Sequence, residues 1–94
     1  MIGDMIDRFL EQRQLLRGSS PHTLAAYAGD LVQLADYLDA EGIVEAEDIS
    51  TGHLRAYLAW LTSRGLARAS VARKLSAIRS FFRWAVQAGQ VTKD

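Results

Sequence analysis

An all-α bundle is what this 94-residue sequence predicts, and three features carry that reading. Apolar residues recur at i, i+3, i+4 and i+7 over four separate stretches, the spacing of one buried helix face. A glycine follows each stretch (Gly18, Gly42, Gly65 and Gly89), where a helix end favours a residue that tolerates positive φ. No run alternates apolar and polar residues for long enough to make a useful strand.

The first helix is predicted from about Ile2 to Leu16, with Ile2, Met5, Ile6, Phe9 and Leu16 on its apolar face and Gly18 as its stop. The second starts at SSPHT. Ser20 can accept hydrogen bonds from the free amides, and Pro21 occupies the first helical position, where its missing N–H costs nothing. Leu24, Tyr27, Leu31, Leu34, Ala35 and Leu38 form its inner side, and Gly42 follows its last turn. Residues 43–50 (IVEAEDIS) read as a connection with Ile43 and Ile49 turned inward. Ser50 or Thr51 caps a third helix carrying Leu54, Tyr57, Leu58 and Leu61, closed by Gly65. The fourth runs from about Arg68 to Ala88, with Val71, Leu75, Ile78, Phe82 and Ala85 as its inner stripe and Gly89 as its stop.

Composition narrows the chemistry. The chain has no cysteine, which excludes disulfides, thiolate catalysis and Cys-based zinc sites. No apolar run approaches the roughly 18 residues of a membrane span. These two features fit a cytoplasmic protein with no membrane partner. Its two histidines, His22 and His53, lack the spacing of a metal site, and no Ser/His/Asp set, phosphate loop or paired-carboxylate site stands out. No metal or cofactor is called for.

Charge is where the sequence speaks. The chain sums to zero, yet residues 1–50 carry three Arg against ten Asp or Glu, a net −7, and residues 51–94 carry eight Lys or Arg against Asp94 alone, a net +7. Two halves of opposite sign can attract each other across the fold, or they can leave a basic face open to a polyanion. The fourth helix favours the second reading. At 100° per residue, Arg68, Ala69, Ala72, Arg73, Ser76, Arg79, Ser80 and Arg83 fall within roughly 140° of one another. Solvated helix faces normally pair acids with bases at i, i+4, and this face has no such pair. Five cations, with Lys74 snorkelling out at the edge of the apolar side, would therefore repel one another over a floor of Ala and Ser. A polyanion relieves that repulsion, and the small residues let it come close. The second helix has a related outer face of His22, Ala25, Ala26, Gly29, Gln33 and Asp36. Its amino end adds free amides beside Ser19, Ser20, His22 and Thr23, a ready phosphate site.

Three stretches then resemble a known family: FLEQRQLLRGSSPHTLAAYAGDLVQLADYL, HLRAYLAWL and SVARKLSAIRSFFRWAVQAG. Together they resemble the N-terminal core-binding domain of tyrosine recombinases of the Xer and phage-integrase type. The patterns S-x-H-T-x-x-x-Y-x-x-D-L and S-V-A-R-K-L-S-A-I-R-S-F-F carry the likeness over almost the whole chain. The resemblance implies a SAM-like four-helix bundle over residues 1–94, laid on one side of duplex DNA while a separate catalytic domain closes the other. It implies that the second and fourth helices lie across the major groove. By that resemblance His22, Thr23 and Ala26, then Arg68, Ser70, Arg73, Lys74, Ser76, Arg79, Ser80 and Arg83, are the candidate DNA-binding residues. It also implies contacts with neighbouring recombinase protomers. The family's nucleophilic tyrosine and its supporting basic residues belong to the catalytic domain, and Tyr27, Tyr37 and Tyr57 all sit on bundle helices. The expectation is a DNA-binding module, a piece of a longer recombinase, that does not itself cleave DNA. The competing expectation is a protein-interaction bundle that assembles through its acidic and basic faces.

Overall fold

A computed structural model describes residues 1–17 and 20–91. It contains helices α1 (Ile2–Arg17), α2 (Pro21–Ala40), α3 (Thr51–Ser63) and α4 (Arg68–Gln87), with one 3₁₀ turn at Ala46–Asp48. The described residues form an all-α four-helix bundle, as the sequence predicts. Gly18 and Ser19, to which a helix stop and part of a phosphate site were assigned, lie outside the described residues, as does the Leu16 side chain.

Helix ends follow the sequence signals closely. Ser20 Oγ accepts the Thr23 amide at 3.2 Å, with Pro21 in the first turn. Ser50 is the cap of α3, and its partner is a histidine. Ser50 Oγ accepts the His53 amide at 3.2 Å while the Ser50 amide donates to His53 Nδ1 at 2.9 Å, a reciprocal box that satisfies two otherwise open donors. His53 is therefore a capping residue and half-buried, not a freely exposed side chain. Three helices share one stop. Gly42, Gly65 and Gly89 all adopt positive φ. In each case the next amide reaches back to the same carbonyl position: Ile43 to Leu38 at 2.8 Å, Leu66 to Leu61 at 3.4 Å and Gln90 to Ala85 at 2.8 Å.

The core joins Ile2, Met5, Ile6 and Phe9 of α1 to Leu31, Leu34 and Leu38 of α2, Tyr57 and Leu61 of α3, and Ala77, Ile78, Phe81 and Ala85 of α4. Ring contacts dominate it, with Phe9 edge-on to Phe81 at 5.7 Å and Tyr37 against Tyr57 at 5.0 Å. Ile43 and Ile49 turn in as expected, both half-buried, and the intervening 3₁₀ turn buries Ala46. The Ile2 amide donates to the Val44 carbonyl at 3.2 Å and so ties the start of α1 to this connection.

One expectation needs correction. The inner stripe of α4 is not Val71, Leu75, Ile78, Phe82 and Ala85 but Lys74, Ala77, Ile78, Phe81 and Ala85. The centre of the buried stripe lies about 60° from that of the expected one, with Ile78 and Ala85 common to both and Val71 and Phe82 partly buried against the core. Leu75 and Phe82 instead line an open groove of about 670 Å³ between α3 and α4, together with Ile49, Leu54 and Leu58. The physical reason is that α4 has two apolar boundaries, and an apolar stripe alone does not say which one is closed.

Candidate nucleic-acid interface

The outer face of α4 is where the wheel placed it. Arg68, Ala69, Ala72, Arg73, Ser76, Arg79 and Arg83 are all exposed, while Ser70 and Ser80 are half-buried at its margins. The amino end of α2 shows His22 and Thr23 exposed and Ala26 half-buried, with the Ser20 and Thr23 hydroxyls 3.0 Å apart. Gly29 follows on the exposed side, and a methyl group there would meet no atom within 4 Å among the described residues. Packing of a neighbouring helix does not account for this glycine.

The five cations of α4 are not all unpartnered, which corrects the picture of a uniformly repelling face. Asp30 of α2, only 2% exposed, takes two of them. Arg73 Nε donates to Asp30 Oδ2 at 3.1 Å and Arg73 Nη2 to Oδ1 at 2.8 Å. Lys74 Nζ donates to Asp30 Oδ1 at 3.0 Å and to Gln33 Oε1 at 2.7 Å. Lys74 does not snorkel to the edge. Its side chain is 10% exposed and points into the α2–α4 seam, where the Asp30 carboxylate and the Gln33 carbonyl together offset the loss of water around the ammonium. Burial alone would push the Asp30 carboxyl up, but the hydrogen bonds and charges of Arg73 and Lys74 outweigh it and hold Asp30 below its ordinary value. The hydrogen bond to Asp30 raises Arg73 in turn. Arg68, Arg79 and Arg83 make no ion pair among the described residues.

Asp30 and Gln33 were assigned no site role from sequence, although Asp30 is the D of the pattern Y-x-x-D-L. The available signal was its wheel position beside Leu31 and Leu34, since a carboxylate on an inner face calls for a cation across the seam. The same buried charge acts on Tyr57. Burial, with Asp30's charge adding to it, pushes the Tyr57 phenol up to about 12. Its hydroxyl has no hydrogen-bond partner among the described residues. No group of three or more His, Asp or Glu among the described residues could hold a metal ion. Nor is any described helix long and apolar enough to cross a membrane.

The chain matches the family described as phage integrase, N-terminal SAM-like domain, over residues 6–89. The chain belongs to that family. It is 37% identical over 86 residues to a tyrosine recombinase XerC of Oceanobacillus iheyensis, covering 92% of this chain and 28% of that protein. It is 37% identical over 90 residues to a tyrosine recombinase XerD of Shewanella oneidensis, covering 96% of this chain and 30% of the relative. With the XerD of Brucella abortus the identity is 42% over 84 residues, 89% of this chain and 27% of the relative. The chain thus spans less than a third of the length of these relatives, and it corresponds to the SAM-like core-binding region and not to their catalytic part. No solved structure matches the chain.

Proposed function

We propose that this domain grips one face of duplex DNA through the amino end of α2 and the outer face of α4, as the DNA-binding module of a site-specific tyrosine recombinase. The observation that carries this reading is the face itself: Arg68, Arg79 and Arg83 exposed without acidic partners among the described residues, over Ala69, Ala72 and Ser76, in a member of this family. Guanidiniums along one edge of a low floor reach phosphates while the floor admits the duplex. The His22 amide, left open in the first turn, supplies a further phosphate contact beside the His22 and Thr23 side chains, with Ala26 and Gly29 as the close-approach surface. Ser70 and Ser80 offer hydroxyl donors at the margins, and Ser76 one on the floor. Lys74 acts through Asp30 and not by touching DNA.

Fluorescence anisotropy of a labelled duplex, titrated at several salt concentrations, tests this. Three arginine–phosphate contacts give a slope of log K against log salt near −2.7, or roughly a fortyfold loss of affinity between 50 and 200 mM. Arg79→Ala then flattens the slope by about 0.9. No binding at low salt refutes the proposal.

The competing reading, assembly of protomers through acidic and basic faces, draws on Asp4, Asp7 and Glu11, which form an exposed acidic edge on α1. That edge suits the basic face of a neighbouring protomer, and salt-dependent self-association in sedimentation velocity is its signature.

A further inference from the structure

Asp30 is buried more deeply than the contact it makes with Arg73 requires. The Arg73 side chain remains 51% exposed, while the carboxylate that grips it is 2% exposed. The grip uses one defined edge of the guanidinium, the fork formed by Nε and Nη2. A guanidinium carries five N–H groups in a fixed plane, so holding that fork sets the direction of the other one, formed by Nη1 and the second hydrogen of Nη2. No acceptor takes the second fork among the described residues. The carboxylate cannot swing to follow Arg73, because Lys74 Nζ holds Oδ1 at 3.0 Å and is itself held by Gln33.

We propose that Asp30 is a positioning residue for Arg73, and that the fork so directed reads the O6 and N7 acceptors of a guanine in the major groove. This rests on the DNA-gripping role proposed above. Two sources could supply a pair of acceptors, a phosphate or a base edge, and the cluster favours the base. Asp30, Arg73 and Lys74 together present a single net positive charge where two unpaired side chains would present two. A phosphate contact gains from charge and accepts many angles of approach. A base edge gains from direction, which is what Asp30 provides at the expense of charge. Ala69, Ala72 and Ser76 on the same face leave room for a base edge to approach.

The test is selection of bound duplexes from a randomised pool, followed by sequencing, with anisotropy on the winners. The proteins are wild type, Arg73→Lys, Asp30→Asn and Arg79→Ala, each checked for fold by circular dichroism. Wild type should enrich guanine at one position by about tenfold or more. Arg73→Lys keeps the charge and loses the fork, so that preference should flatten while overall affinity stays within about threefold. Asp30→Asn should flatten the same position, and Arg79→Ala should weaken all sequences evenly. Wild type that binds with no base preference overturns this inference and leaves the DNA-gripping role standing. So does an Asp30→Asn protein that binds more tightly with its guanine preference intact, which would make Asp30 a brake on charge alone. Failure of wild type to bind any duplex overturns both. If Asp30→Asn does not fold, Arg73→Lys decides the matter, since an unchanged guanine preference there overturns the proposal.

Discussion

Replacing Asp30 with Asn removes one charge from the α2–α4 seam and keeps the shape of the side chain. Lys74, its side chain only 10% exposed, then keeps Gln33 Oε1 at 2.7 Å and a neutral amide oxygen at position 30 but has no counter-charge. Removing one partner of a buried ion pair costs about 3–5 kcal/mol, because the remaining charge must be kept out of water without compensation. The half-exposed Arg73 beside it lets water into one side of the cluster, so the lower end applies, about 3 kcal/mol. In a domain of this size that corresponds to a fall in Tm of roughly 12–24 °C. Thermal and urea melts by far-UV circular dichroism at neutral pH measure it, with an unchanged urea slope showing that only stability moved. The pH dependence gives the sign a second check. The Asp30 carboxyl sits below its ordinary value of 3.8 in the folded chain. Its contribution is therefore complete above about pH 4 and is lost as pH falls through the lower folded value. The gap between wild type and Asp30→Asn should narrow there and nowhere higher. The double replacement Asp30→Leu with Lys74→Met should restore stability to within about 1 kcal/mol of wild type, since a well-packed apolar pair replaces an ion pair without loss. A loss below about 1 kcal/mol for Asp30→Asn alone would refute the reasoning, by showing that Lys74 finds water as easily as it finds Asp30.

Other substitutions separate fold from function. Gly29→Ala should stabilise the domain by about 1 kcal/mol in urea melts, since the methyl group meets nothing, yet weaken duplex binding in anisotropy where close approach is needed. Ser50→Ala should cost about 1 kcal/mol by the same melts, because it opens the reciprocal cap with His53. Tyr57→Phe should leave the melting temperature unchanged or raise it, as the buried hydroxyl it removes has no partner among the described residues. In the wild type, ultraviolet titration should find one tyrosine that ionises only near pH 12.

Local signals survived folding where their chemistry is local. Ser20 with Pro21, Ser50 at the start of α3, and the glycines at 42, 65 and 89 each act within a few residues of themselves, so spacing alone located them. The outer face of α4 was legible for a related reason: Arg68, Arg79 and Arg83 exclude themselves from a core whatever packs behind them. What the sequence could not give was the partner across a seam. Periodicity places Asp30 near Leu34 and Lys74 at the edge of the apolar side, but it says nothing of the partner that lets each turn inward. They lie inside because each is the other's solvent, a fact about two residues 44 apart in the chain and not about either helix alone. The same blindness shifts the expected inner stripe of α4 by about 60°, since Leu75 and Phe82 are as apolar as Phe81 but border the open groove with α3. Lys74 fills a place on the inner stripe of α4 that periodicity alone gives to an apolar residue, and it can do so because a buried carboxylate on α2 faces it across the seam.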